Sequence, residues 1–169
     1  MEKTLQVLNR MEVDGVLSRY AIGGAIAATF YVEPVSTFDL DVFFTIASGT
    51  DKLLSLSPLY DYLVALGYEA TGEAVEIEGW PVQFLPAFNP LLDEAIAQAT
   101  EIMFKGTTTR VMRAEHLVAI MLQTGRAKDH ARILQFLEEE AVELPLLESV
   151  LAHHGIIEKW EEFKRRFSL

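Results

Sequence analysis

Cysteine is absent from the 169 residues, which excludes disulfides, thiolate nucleophiles and cysteine-ligated zinc. Any metal must be held by oxygen or imidazole. Long apolar runs are missing too: the charge-free stretch Tyr20 to Val32 stops at Glu33, well short of the roughly 18–20 residues a membrane-spanning helix needs. Basic charge is scarce. Lys and Arg number 14 against 25 Asp and Glu, a formal net charge of −11, and the field of the whole molecule opposes nonspecific binding to nucleic acid or an anionic membrane. No Pro/Gly/Ser-rich linker, repeat or low-complexity tract divides the chain. The opening MEKTLQVLNRMEVD lacks the apolar core and small-residue cleavage site of a signal peptide, so a cytoplasmic location is expected.

What is present is core-forming material: half the residues are hydrophobic, enough for one globular domain of this length. The charge is unevenly spread. Between Lys105 and Arg132 six basic residues (Lys105, Arg110, Arg113, Arg126, Lys128, Arg132) face two acids (Glu115, Asp129), a local +4 that leaves −15 for the rest. A small anionic ligand has one obvious destination.

Apolar positions at helical spacing (Leu5, Leu8, Met11) predict a helix near residues 3–17, followed by a short strand at Tyr20 to Ile22 that ends in Gly23-Gly24. Ala25 to Tyr31 reads as a small-residue helix stopped by Pro34, and Phe38 to Ile46 as a strand. A helix over 51–66 is ended by Gly67. Ala74 to Glu78 and Pro81 to Leu85 form a hairpin around Gly79-Trp80, near a sheet edge because of Pro81. Residues 90–99 read as a helix, and Glu101 to Lys105 with Thr107 to Met112 as a second hairpin turning at Gly106. From Arg113 onward the pattern is helical, broken at Gly125, Pro145 and Gly155. The fold class expected is α+β: a mixed β-sheet flanked by helices over residues 1–112, with a helical C-terminal region over 113–169 packed on it as one unit.

Asp39 and Asp41 stand one residue apart in FDLDVF. On a strand they share a face, about 6.5–7 Å apart, and repel each other unless a cation or water relieves them. A hard divalent ion such as Mg2+, which takes a few carboxylates plus substrate phosphates, fits the pair; a solvated strand face is the alternative. Upstream, Gly23-Gly24 ends a strand and opens a helix, where free N–H groups form an anion site that glycine lets a phosphate approach; an ordinary tight turn is the alternative. Together the two features describe a unit for phosphoryl or nucleotidyl transfer.

The stretch "IGGAIAATF...STFDLDVF" resembles the nucleotidyltransferase superfamily, in which a G-G or G-S turn opens a helix and the next strand carries D-x-D. "HLVAIMLQTGRAKDHARI" is similar to the K-L-x-x-x-x-R-x-K-D-x-x-D segment of bacterial abortive-infection (type IV toxin–antitoxin) nucleotidyltransferases and their uncharacterised relatives. The likeness covers residues of about 20–135. It implies a nucleoside triphosphate substrate with Mg2+ or Mn2+, catalytic and metal-binding roles for Asp39 and Asp41, and nucleotide contacts from Gly23, Gly24, Thr37, Gln83, Arg126, Lys128 and Asp129. It also implies a hydroxyl acceptor on RNA, protein or a small molecule, and a protein partner such as an antitoxin. Three positions depart from the pattern: Met121 stands for a lysine, Arg132 for the final aspartate, and Gln83 for the third carboxylate. The alternative they leave open is a catalytically degenerate domain serving as a nucleotide sensor or protein-interaction module.

A hairpin tip at Gly79-Trp80 would set Glu76 opposite Gln83, making Glu76 a candidate third metal carboxylate with Gln83 lending an amide oxygen. Asp129 can stabilise a helix N-terminus and pair with Arg132. Lys128 and Arg132, at i, i+4, share a helix face. His116 reads as a core or surface residue, His130 as a neighbour of the basic element, and His153-His154 as a helix C-terminal cap; no histidine pair shows zinc spacing with a third ligand. Trp160, Phe163 and Phe167 form a packing stripe.

Overall fold

The computed structural model describes residues 1–34, 37, 39–45 and 56–169, with Thr71 as backbone only. The ends of the expected second strand (Phe38 and Ile46) and the first part of the 51–66 helix (51–55) lie outside the described residues.

Chain order is α1 (Glu2–Val13), β1 (Arg19–Ile22), α2 (Gly24–Ala28), β2 (Leu40–Thr45), α3 (Ser57–Ala65), β3 (Ala70–Thr71), β4 (Ala74–Ile77), β5 (Trp80–Pro86), α4 (Pro90–Ala97), β6 (Thr100–Phe104), β7 (Thr107–Val111), α5 (Ala114–Thr124), α6 (Ala127–Glu138), α7 (Leu144–His153) and α8 (Ile157–Phe167). Among the described residues the strands form one seven-stranded sheet in the order β3-β4-β5-β2-β1-β7-β6. It is mixed: β2 runs parallel to β5 and β1 parallel to β7, and the other pairings are antiparallel.

Strand β2 alternates strictly. Leu40, Val42 and Phe44 are buried, whereas Asp41, Phe43 and Thr45 are only partly covered, so the period of two sends the apolar set into the core and Asp41 to the other face. Leu40 and Val42 share the core with Val82 and Phe84 of β5 and with Leu5, Leu8 and Met11 of α1. The same core runs through α5 (Leu117, Val118, Leu122) to Phe136, Leu151, Trp160 and Phe163. Trp160 and Phe163 therefore pack, as the stripe predicts.

Both hairpins turn on residue pairs with left-handed backbones, Glu78-Gly79 (φ 52° and 79°) and Lys105-Gly106 (φ 48° and 84°), the pattern of type I′ turns. The first turn thus sits one residue earlier than Gly79-Trp80, because bulky Trp80 would be strained at positive φ. The register changes with it: Ile77 pairs with Trp80 and Glu76 with Pro81. Nor is this hairpin at an edge, since β5 lies between β4 and β2. Flanking a two-residue turn, Ile77–Trp80 is the hydrogen-bonded pair and Glu76–Pro81 the open one. On the other side the ladder with β2 begins only at Val82, so the N–H that Pro81 lacks has no partner to lose.

The C-terminal helices break where expected, at Gly125 (φ 71°, left-handed), before Pro145 in the first turn of α7, and at Gly155 (φ 67°). Among the described residues no helix is long and apolar enough to cross a membrane.

Candidate active site

A cleft of about 530 Å³ opens on the face of the sheet that carries Asp41. Its floor is Asp41 and Phe43 of β2 with Gln83 and Leu85 of β5; its walls come from Gly24, from Thr37 and Asp39 ahead of β2, and from α5 and the start of α6. Parallel pairing sets Asp41 directly beside Gln83. Thr37 Oγ1 donates to Asp39 Oδ1 at 3.2 Å, fixing one oxygen of that carboxylate. Burial, and then the neighbouring Asp39, push the Asp41 carboxyl up to about 6, against the opposing pull of Lys128 and Arg126.

The glycine turn is built around this acid. Gly24 has a left-handed backbone (φ 59°), and a Cβ on it would overlap Asp41 Oδ2. A Cβ on Gly23 would overlap the Phe43 ring, and the Gly23 N–H donates to the Asp41 carbonyl at 3.0 Å. Here the first use of the two glycines is to let β2 side chains lie against the turn. Helix α2 has five residues, so its dipole adds little to an anion site there.

The fold splits the basic segment read from the sequence. Arg110 is taken by Glu12 at 3.0 Å and Lys105 sits on a hairpin tip. Arg126, Lys128 and Arg132 line the cleft. The buried Asp129 carboxylate accepts from Arg126 Nε at 2.8 Å, from its terminal nitrogen at 3.0 Å and from its backbone N–H at 3.1 Å. This holds the start of α6 in place. The hydrogen-bonded partner of Asp129 is therefore Arg126 and not Arg132. Among the described residues no carboxylate forms an ion pair with Lys128 or Arg132. Burial lowers the Arg132 pKa from its usual value, with Asp129 opposing. Met121 lines the cleft where the resemblance expects a lysine.

Glu76 is exposed opposite Pro81 and does not line the cleft, so the register that would bring it to Gln83 is not the one formed. The carboxylate that meets Gln83 is instead the exposed Glu73, which likewise does not line the cleft: Gln83 Nε2 donates to Glu73 Oε2 at 3.3 Å. Because a carboxylate only accepts, the Gln83 amide nitrogen is committed to Glu73 and its oxygen is turned elsewhere. The one sequence signal for Glu73 is its place in the turn before β4. His130 faces away from this chemistry, edge-on to Phe163 and Phe167 of α8 at 5.6 and 6.0 Å between ring centres.

Neither a protein-family model nor a curated protein sequence matches the chain. Solved structures do. An antigenic nucleotidyltransferase-like protein from Paracoccidioides brasiliensis superposes with a TM-score of 0.57 at 14% identity, covering 89% of this chain and 86% of its own. The antibiotic-resistance factor ANT(2″)-Ia, in its solution structure, gives 0.52 at 16% identity over 99% of both chains. A mixed sheet bearing an acid pair beside a glycine turn, closed by a helical region over the same cleft, thus has the nucleotidyltransferase fold.

Proposed function

We propose that the cleft binds a nucleoside triphosphate together with Mg2+ or Mn2+ and transfers a nucleotidyl group to a hydroxyl acceptor. The observation that carries this reading is a separation of charge across one cavity: Asp39 and Asp41, which no cation pairs with among the described residues, on one side, and Lys128 and Arg132, which no carboxylate pairs with among the described residues, on the other. The donor set is all oxygen and fits a hard divalent ion. When bound, such an ion would draw charge from the phosphoryl oxygens at which bonds are made and broken. Asp39 and Asp41 hold it; Thr37 keeps Asp39 oriented; Lys128 and Arg132 offset the remaining phosphate charge, with Arg126 contributing its free edge. Phe43, Leu85 and Met121 give the cleft an apolar side against which a base can lie. Catalysis of this kind is positioning and charge neutralisation.

The test is calorimetric titration of nucleoside triphosphates with and without Mg2+, on wild type and on Asp39→Asn/Asp41→Asn. Metal-dependent binding lost in the double variant is expected; no binding by the wild type would refute the reading. A second reading, a domain that binds nucleotide and does not turn over, is favoured by one observation: Met121 and Gln83 bring neutral groups where the resemblance expects a lysine and a carboxylate. Incorporation of labelled nucleotide into RNA, protein and small-hydroxyl acceptors separates the two.

A further inference from the structure

A second cluster of donors lies outside the cleft and has no part in the reading above. Glu94 of α4 gathers imidazoles from two other helices. His116 of α5 lies with Nε2 at 3.2 Å from Glu94 Oε1. His154, just past the end of α7, places Nε2 at 2.9 Å from Oε2, and His153 Nε2 is 3.7 Å from that same oxygen. One donor atom from each of Glu94, His153 and His154 lies within 4.8 Å of the other two. None of the four residues lines the cleft.

We propose that Glu94, His153 and His154 form a site for a divalent transition-metal ion, Zn2+ being the best fit, that fastens α7 to α4. Four donors at about 2.0–2.1 Å from a tetrahedral zinc are separated by about 3.3 Å. The 2.9 and 3.7 Å oxygen-to-nitrogen distances straddle that value, so closing the site asks for shifts of under 1 Å in these two distances together with rotation of exposed His153. Two imidazoles and a carboxylate select zinc and its neighbours over Mg2+, which prefers oxygen throughout. The His153 side chain is 71% exposed, which leaves the fourth position to water.

His116 supports the site from behind. Its Nε2 faces a carboxylate, which only accepts, so Nε2 carries the proton and Nδ1 is bare; Nδ1 is buried with no hydrogen-bond partner among the described residues. The buried ring therefore serves to fix Glu94 Oε1, leaving Oε2 for a metal. A hydrogen bond of this kind behind a carboxylate ligand orients it. The histidine pair that reads locally as a helix cap thus has its partner on a helix sixty residues away.

The test uses tag-free protein carrying Asp39→Asn/Asp41→Asn, so that the cleft acids take no part. Titration with ZnCl2 alone is expected to give one bound ion. At a hundred-fold excess over Kd it should raise Tm by about 5–10 °C, while MgCl2 leaves Tm unchanged. Co2+ in place of zinc should show the intense visible bands of a four-coordinate ion. His153→Ala, at an exposed position where folding is not at stake, should weaken zinc at least ten-fold, as should Glu94→Gln. Absence of stoichiometric binding, or equal affinity in Glu94→Gln, which would mark an ordinary surface histidine pair, overturns the proposal.

Discussion

Asp41 and Glu94 are both half-buried carboxylates beside the central helix α5, yet their neighbours treat them in opposite ways. Asp41 is set against another acid, Asp39, with its compensating cations across an open cleft, and burial drives it towards the protonated form. At Glu94 burial acts in the same direction, but hydrogen bonds from His116 and His154 outweigh it and hold the carboxyl below its usual value. Asp129 at the cleft rim is likewise satisfied, by Arg126. A folded chain disperses or pairs buried charge wherever stability alone is at stake. The charge left unresolved at Asp41 is the feature on which the proposed nucleotide and metal site rests. Glu94 is already paired without one.

The comparison breaks most sharply at Gly24. Gly24→Ala forces a side chain into left-handed backbone, at about 1–2 kcal/mol, and its Cβ onto Asp41, at about 1–3 kcal/mol more. Urea denaturation should show that loss, with metal-dependent triphosphate binding abolished alongside it.

Next come two neutralisations of opposite sign. Asp41→Asn should stabilise the metal-free protein at pH 8 by up to about 3 kcal/mol, following from a carboxyl at about 6 against about 3.9 unfolded. Between those values the folded protein holds the extra proton. Wild-type stability therefore falls as pH rises from about 4 through about 6 and then levels, a slope that Tm against pH should show in wild type and not in Asp41→Asn. Glu94→Ala, which strips the partner from buried His116 and His154, should instead destabilise by about 1–3 kcal/mol in the same melts. A stabilising Glu94→Ala would erase the distinction.

Smaller effects sharpen it within the cleft. Arg126→Ala uncovers the buried Asp129 and should cost about 1–3 kcal/mol of stability. Lys128→Ala, at an exposed position, should stay within about 0.5 kcal/mol in stability while weakening triphosphate binding; paired melts and titrations read both. The smallest effect is that of His153→Ala on metal-free stability, also within about 0.5 kcal/mol.

Much of the cleft was legible in sequence because its parts are local. Asp39 and Asp41 announce themselves by strand spacing, the Gly-Gly turn by its place between strand and helix, and Arg126 to Asp129 by its place after Gly125. Glu76 misled because hairpin register hangs on which residues accept positive φ, and a slip of one residue at Glu78-Gly79 changes every facing pair. The basic segment misled differently: a count along the chain cannot tell that Glu12 takes Arg110.

The sequence by itself determined the elements and their faces, since alternation in LDVFFT and the helical spacing of Leu5, Leu8 and Met11 depend on backbone geometry over a few residues. It also determined that two acids would share a surface. Only the tertiary structure decided what those acids would meet, that Gln83 would stand beside Asp41 and bring Glu73, and that one glutamate on α4 would collect histidines from α5 and α7. Strand neighbours and helix packing are chosen by burial of the whole apolar set, so a charged residue's partner is fixed by where that core places it, at separations no local pattern encodes.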